Sequence, residues 1–142
     1  MRNKMFSIFA LLLFSQVLYA AELISKAPPD AKAYFISPTD GATVSQTFKV
    51  KFGLSQMGVA PAGVDIKNTG HHHLLINVDE LPDLTKPLPA SEQVKHYGGG
   101  QTETTLTLEP GSYTLQLVLG NYLHIPHNPP VMSEKITVTV KQ

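Results

Sequence analysis

The sequence predicts an all-β domain, because short segments of alternating polar and apolar residues follow one another after residue 20 and none has a sustained helical period. In the clearest segment, Phe48, Val50 and Phe52 share one face and two lysines occupy the other. Turn sequences rich in proline, glycine and aspartate separate these segments. Six or seven short alternating strands within about 110 residues are typical of a β-sandwich.

The first twenty residues have the layout of a secretory signal peptide. Arg2 and Lys4 precede an apolar run from Met5 to Phe14, and small residues follow at Ala20 and the next position. A helix of ten residues spans roughly 15 Å, about half of a bilayer core, so an uncleaved membrane anchor is the less expected alternative. We therefore expect removal of residues 1–20, with cleavage after Ala20 or the following alanine, and no membrane span in the mature chain.

Composition limits what the mature chain does. The 142 residues include no cysteine, which excludes disulfides, thiolate zinc sites and a blue-copper centre. Beyond residue 20, nine lysines and no arginine stand against eleven acidic residues, a net charge of −2, so nucleic acid is not an expected partner. Small domains secreted outside the cell are usually stabilised by disulfides, which this chain cannot form. An exported chain without cysteine is therefore expected in the periplasm.

A lead-in arm is predicted over 21–32, which contains two adjacent prolines, and the domain itself is expected over 33–142. The segments 53–70 and 79–100 are predicted to be largely irregular because glycine and proline are frequent in them. Six strands are predicted from the alternating segments: 33–37, 47–53, 71–78, 101–108, 112–119 and 131–140.

The segment Leu108-Glu-Pro-Gly-Ser-Tyr113 has the form of a tyrosine corner. In this motif, a tyrosine at the start of the penultimate strand of an immunoglobulin-like sandwich bonds back to the corner backbone. Tyr113 is therefore expected to be largely buried, with its hydroxyl bonded near Glu109. The predicted fold is a single immunoglobulin-like antiparallel β-sandwich that follows a cleaved signal peptide.

The six histidines carry the only chemistry visible in the sequence. Under the predicted strand order they gather at one end of the sandwich, because each lies at the start of a strand or in a connection at that end. We expect His71 and His73 to point together from the outer face of their strand, about 7 Å apart at Cα, so that their loss hardly affects stability. His72 is expected to point into the core. The candidate metal ligands are His71, His73, His96, His124 and His127.

Imidazole is the most common protein ligand for zinc, copper and nickel, so copper or zinc is the expected ion. Asp65 is a further candidate ligand, and Met57 is a candidate only for Cu(I). The alternative is structural: histidines at such a position also hydrogen-bond loop backbones, and His127 between prolines is a candidate brace. The segment Gly98-Gly-Gly100 leads into a strand, which favours a close backbone approach or a bulge over a phosphate site.

No catalytic residue is predicted, because the sequence lacks a nucleophile elbow, a His-Glu-x-x-His motif and a phosphate-binding loop. The leading hypothesis is a non-enzymatic, periplasmic binding module whose histidines hold a transition metal or a small ligand. The alternative is a structural cell-envelope module, or one that binds an unknown envelope protein, in which the histidines brace loops. A metal-dependent hydrolase is less expected, since no general base is visible.

Several stretches of the sequence resemble the bacterial Domain of Unknown Function 4399 family, over about residues 33–140. The resemblance implies an exported small β domain without an established activity, and it adds no catalytic residue. The stretches that carry it are 37–41 (SPTDG), 57–63 (MGVAPAG), 70–76 (GHHHLLI), 98–104 (GGGQTET), 110–117 (PGSYTLQL) and 124–131 (HIPHNPPV).

Overall fold

A computed structural model describes residues 22–142; the predicted signal peptide and the first residue of the predicted arm lie outside the described residues. Within this range the regular elements are strands, which confirms the all-β prediction. The part of the chain that the structure describes contains no helix with the length and hydropathy needed to cross a membrane. The strands are β1 (Lys32–Ser37), β2 (Thr43–Ser45), β3 (Thr47–Ser55), β4 (Gly58–Val59), β5 (Thr69–Ile76), β6 (Val94–His96), β7 (Glu103–Thr107), β8 (Gly111–Gly120) and β9 (Ile136–Lys141).

The strands form two sheets packed face to face as a sandwich. The smaller sheet has the order β1-β3-β7, and the larger has the order β2-β9-β8-β5-β4, with β6 also paired to β5. The pairs β2–β9 and β4–β5 are parallel, and the others are antiparallel. This strand order agrees with the predicted immunoglobulin-like sandwich.

The main core lies between the two sheets and is filled by the inward residues of each alternating strand. Phe48, Val50 and Phe52 of β3 face Leu115 and Leu117 of β8 in this cluster. All five are less than a tenth exposed. Removing this apolar surface from water supplies the main favourable free energy of folding.

A second apolar cluster covers the outer face of the larger sheet. Leu75 of β5 and Val118 of β8 point away from the main core and pack with Leu88 and Val94. Because the connection after β5 folds back over the sheet, β5 is buried on both faces rather than on one. This second layer determines the environment of the histidines.

The predicted strand bounds need three corrections. The strand predicted over 131–140 is regular only from Ile136, because Ser133 interrupts the ladder with its side chain, which accepts a hydrogen bond from the Leu117 amide at 2.8 Å. The strand predicted over 71–78 ends at Ile76, where Asn77 turns the backbone with a left-handed φ of 54°. The short strands β2, β4 and β6 were not predicted, since two or three residues carry no measurable alternation.

The tyrosine corner is confirmed by its hydrogen bond. The hydroxyl of Tyr113 donates to the backbone oxygen of Glu109 at 2.9 Å. The expectation of a largely buried ring is wrong, because Tyr113 is only partly buried at the edge of the main core.

The predicted lead-in arm lies against the domain rather than away from it. Ala31 is buried in a third apolar cluster with Leu119 and Val131. Further back, the Ala27 amide donates to the backbone oxygen of Asn128 at 3.1 Å. The arm is therefore fastened to the connection between β8 and β9, which carries two of the histidines.

Candidate metal site

The three consecutive histidines of β5 alternate between the two faces of the larger sheet, as the two-residue period predicts. His72 points into the main core, where its ring centroid lies 5.1 Å from that of Phe52. His71 and His73 point to the opposite face, and their ring centroids are 4.8 Å apart. The strand therefore presents a His-x-His pair on one side.

The expectation that this pair hardly affects stability assumed uncovered rings on the outer face, and both rings are buried. His71 is 0% exposed and His73 is 1% exposed. They are buried because the ring of His96, from the neighbouring strand β6, and the ring of His124, from the connection between β8 and β9, lie against them. Removing both rings would leave buried volume unfilled, which destabilises a folded protein.

His96 completes a group of three. It lies in β6, directly opposite His73 in the antiparallel register of β5 and β6. Its Nε2 lies 3.1 Å from Nε2 of His71, within hydrogen-bonding distance. One ligand atom from each of His71, His73 and His96 can be chosen so that all lie within 4.8 Å of one another. His96 is the exposed member, so the group opens to solvent on its side.

His124 stands beside this group without being part of it. Its ring centroid lies 4.6 Å from that of His96, 5.0 Å from His71 and 6.1 Å from His73. Its backbone has a left-handed φ of 67°. The backbone oxygen of His124 accepts a hydrogen bond from Leu88 at 2.9 Å, which joins its connection to the second apolar cluster.

The other predicted ligands are placed elsewhere. The buried ring of His127 donates from Nε2 to the backbone oxygen of Thr69 at 3.1 Å. This contact ties the β8–β9 connection to the start of β5, the bracing role that the sequence left open. Asp65 lies in an exposed loop, and Met57 packs with the third apolar cluster. None of these three residues belongs to the group of His71, His73 and His96.

Two glycines leave room for the rings. A Cβ atom on Gly98 would overlap the ring of His96, and one on Gly120 would lie 2.6 Å from Cε1 of His73. Real side chains do not tolerate such distances, so a side chain at either position would displace the neighbouring histidine ring. The Gly98–Gly100 segment is thus a close backbone approach, as predicted, but its partner is a histidine ring, which the sequence did not indicate.

The environment favours neutral imidazoles. Burial, with the nearby His96 and His124, lowers the pKa of His71 to about 4. Burial, with the neighbouring His71, His96 and His124, lowers the pKa of His73 to about 3, weakly opposed by the Val118 backbone. The pKa of His96 is also lowered, by burial and then by His124. A neutral imidazole is the form that binds metals, so these rings are ready to bind at neutral pH.

Several buried ring nitrogens lack hydrogen-bond partners. Within the described residues, Nδ1 of His71 and both ring nitrogens of His73 form no hydrogen bond. The Val118 backbone lies near His73 without meeting hydrogen-bond geometry. A buried polar atom without a partner costs free energy, and most such atoms in native proteins are paired with protein, water or an ion. The group offers three imidazole nitrogens and no carboxylate, a donor set that could hold a metal ion.

The fold and the site define a small β-sandwich domain with a histidine cluster on the outer face of one sheet. The chain belongs to the family described as Domain of unknown function (DUF4399), whose model matches residues 50–141. The match confirms the family resemblance, and its range includes all six histidines. No curated protein and no solved structure matches the chain.

Proposed function

We propose that this domain is an exported, periplasmic metal-binding module that holds one transition-metal ion at His71, His73 and His96. The observation that carries the proposal is the convergence of three imidazole nitrogens within 4.8 Å of one another. Two nitrogens bound to one tetrahedral zinc ion lie about 3.3 Å apart, given Zn–N bonds of about 2.0 Å. The Nε2 atoms of His71 and His96 are already 3.1 Å apart, so small side-chain rotations would close the site.

Copper or zinc suits this donor set best, because imidazole is a borderline-soft ligand and thiolates are absent from the sequence. At a nitrogen-only site Cu²⁺ is expected to bind more tightly than Zn²⁺ or Ni²⁺. Three protein ligands leave a coordination position for water, a small ligand or a fourth histidine. The sequence supports export, through its signal-peptide pattern and its lack of cysteine.

The second candidate is a structural envelope module, favoured by one specific contact. The His71–His96 hydrogen bond joins β5 to β6 in the absence of any ion. In this alternative, the histidines stabilise the pairing of the short strand β6 with β5. The domain would then bind a protein partner rather than a metal ion. The hydrolase alternative lacks such support, since no carboxylate accompanies the three histidines in the group as a general base.

The test uses protein purified from the periplasm without a polyhistidine tag. Elemental analysis gives the bound metal, and thermal melting with and without Cu²⁺ or Zn²⁺ gives its effect on stability. An ion that binds only the folded state stabilises it by about 2.7 kcal/mol at a hundredfold excess over Kd. A native protein without a bound metal and without a metal-dependent melting shift would contradict the proposal.

His96→Gln is the matched variant, because His96 is exposed and its loss leaves the buried rings in place. It is expected to remove most of the metal-dependent shift, while the melting temperature of the metal-free protein changes little. Lys95→Gln, on the same strand, is the control and should keep the full shift. Two results together would favour the structural alternative: His96→Gln lowers the melting temperature of the metal-free protein, and added metal does not change the melting temperature of the native protein.

A further inference from the structure

The connection that carries His124 is organised by one buried amide. Asn121 is 1% exposed, and its Oδ1 accepts hydrogen bonds from the backbone amides of Leu123 at 2.9 Å and Ile125 at 3.0 Å. Its own backbone oxygen accepts a hydrogen bond from the amide of His124 at 2.9 Å. The residues before, at and after the position of His124 are thus all fixed to Asn121.

The same side chain also holds the N-terminal arm. Its Nδ2 donates to the backbone oxygen of Leu23 at 2.9 Å and to Oγ of Ser25 at 3.0 Å. A second link lies close by, where the Asn128 amide donates to the backbone oxygen of Ser25 at 2.9 Å. The arm residues 23–27 therefore contact both ends of the connection that presents His124.

The ring of His124 is within a short movement of the three-histidine group. Its centroid lies 4.6 Å from that of His96 and 5.0 Å from that of His71. Zinc and copper sites commonly take four ligands, and the group supplies three. Whether His124 reaches the ion depends on where its backbone is held, and Asn121 holds that backbone.

We infer that Asn121 is a positioning residue that couples docking of the N-terminal arm to His124, so that the docked arm sets His124 as the fourth ligand. The inference rests on the proposed metal site. Because coupling between two binding events is reciprocal, a metal bound through His124 must also tighten the arm. The arm thereby becomes part of the site, although none of its residues touches the ion.

Asn121→Asp separates the two roles of the amide. The carboxylate still accepts from Leu123 and Ile125, but it has no proton to donate to the backbone oxygen of Leu23, and it keeps Ser25 only if that hydroxyl turns to donate. We expect Cu²⁺ affinity to fall tenfold or more, the effect of losing an outer-shell partner, and nitrogen hyperfine structure in the electron paramagnetic resonance spectrum to show one ligand fewer. His124→Asn, which tolerates the left-handed backbone, should give the same spectrum.

The double variant Asn121→Asp/His124→Asn should bind Cu²⁺ no more weakly than His124→Asn alone, because both changes remove the same ligand. Lys26→Ala is the control, since it alters the arm without touching Asn121, and it should bind like the native protein. Additive losses in the double variant would overturn the inference and assign Asn121 a general stabilising role.

The reciprocal effect is measured on the native protein and needs no folded variant of Asn121. Hydrogen exchange of the Ala27 amide, which donates to Asn128, should slow when Zn²⁺ is added to the native protein but not to His124→Asn. Exchange that Zn²⁺ leaves unchanged in a protein that does bind the ion would refute the coupling and leave the proposed function standing. A native protein that binds neither Cu²⁺ nor Zn²⁺ would refute both.

Discussion

His71 and His96 meet through their Nε2 atoms at 3.1 Å, although the residue directly opposite His96 in the register of β5 and β6 is His73. The contact is diagonal across the two strands, which places all three rings around one small volume. One nitrogen of the pair donates and the other accepts, so both rings can remain neutral. An ion bound by both nitrogens would replace this hydrogen bond.

The first prediction concerns Gly98. Gly98→Ala places a methyl group where the His96 ring lies, while its backbone φ suits any residue. We expect the His96 ring to be displaced and the metal affinity to fall at least tenfold, with the fold retained. Isothermal titration with Zn²⁺ measures the affinity.

The neighbouring glycine is the matched control for that experiment. A methyl group on Gly99 would meet only the flexible side chain of Gln101, at 3.0 Å or more. Gly99→Ala should therefore bind Zn²⁺ like the native protein. Equal losses from the two variants would show that loop flexibility, rather than the position of His96, controls affinity.

The second prediction concerns metal binding in acid. With the pKa of His71 lowered to about 4 and that of His73 to about 3, protons do not compete for these ligands at pH 5.5. Three ordinary histidines with a pKa of about 6.5 would each lose about tenfold in effective affinity at that pH. Of the three histidines in the group, only His96 remains open to such competition, so protonation of the group should lower Zn²⁺ affinity less than about tenfold between pH 7.5 and pH 5.5. A loss near a thousandfold in a competition titration would contradict neutral buried ligands.

The third prediction concerns stability without metal. Burial lowers the folded-state pKa of His71 and His72 to about 4 and that of His73 to about 3, while their unfolded-state pKa stays near 6.5. The unfolded chain therefore binds more protons between these values, and the free energy of unfolding falls as the pH drops below 6.5. Each histidine contributes about 1.4 kcal/mol per pH unit in that window. Urea unfolding at pH 7.5, 6.5 and 5.5 should show a plateau and then a decline.

The fourth prediction concerns His72. Both of its ring nitrogens are buried against Phe52 and have no hydrogen-bond partner among residues 22–142. His72→Leu removes these desolvated polar atoms and should raise the free energy of unfolding at pH 7 by about 1 kcal/mol. The free energy of unfolding of this variant should also decline less steeply below pH 6.5, because the unfolded variant has one fewer histidine to protonate. Urea unfolding measures the difference. If His72→Leu lowers the free energy of unfolding by several kcal/mol, the His72 ring has a hydrogen-bond partner in solution.

The fifth prediction concerns the tyrosine corner. Tyr113→Phe removes the hydrogen bond to Glu109 and should cost about 1 kcal/mol of unfolding free energy. Tyr34→Phe is the control, because Tyr34 is 47% exposed on the outer face of the smaller sheet. Equal unfolding midpoints for the two variants would show that the corner bond contributes nothing to stability.

Local pattern was enough to predict much of the fold and part of the site. Alternation predicted the faces of His71, His72 and His73, because strand geometry fixes side-chain direction. The predicted strand order also placed His96 close to His71 and His73, since His96 lies in the connection that passes beside β5. These predictions depend on the backbone geometry of single strands, which the alternation of neighbouring residues in the sequence indicates.

The covering of the outer face could not be read from alternation. It depends on a long connection that folds back over the sheet, and such contacts leave little local pattern. One indication was present: Leu74, Leu75 and Ile76 are consecutive apolar residues, as in a strand buried on both faces. The link that Asn121 makes to the arm had no sequence pattern, because Leu23 and Ser25 lie almost a hundred residues away from it.

The pairing of β6 with β5 extends over only three residue pairs, from His73–His96 to Leu75–Val94. The connection between the two histidines is long, and a chain without cysteine has no covalent way to close it. An ion shared by His73 and His96 would act as a cross-link, and closing a loop of about twenty residues by a disulfide is worth roughly 3 kcal/mol in the chain-entropy model. In the metal-loaded domain, residues 77–93 would then resist proteases that cut the same segment in the metal-free form.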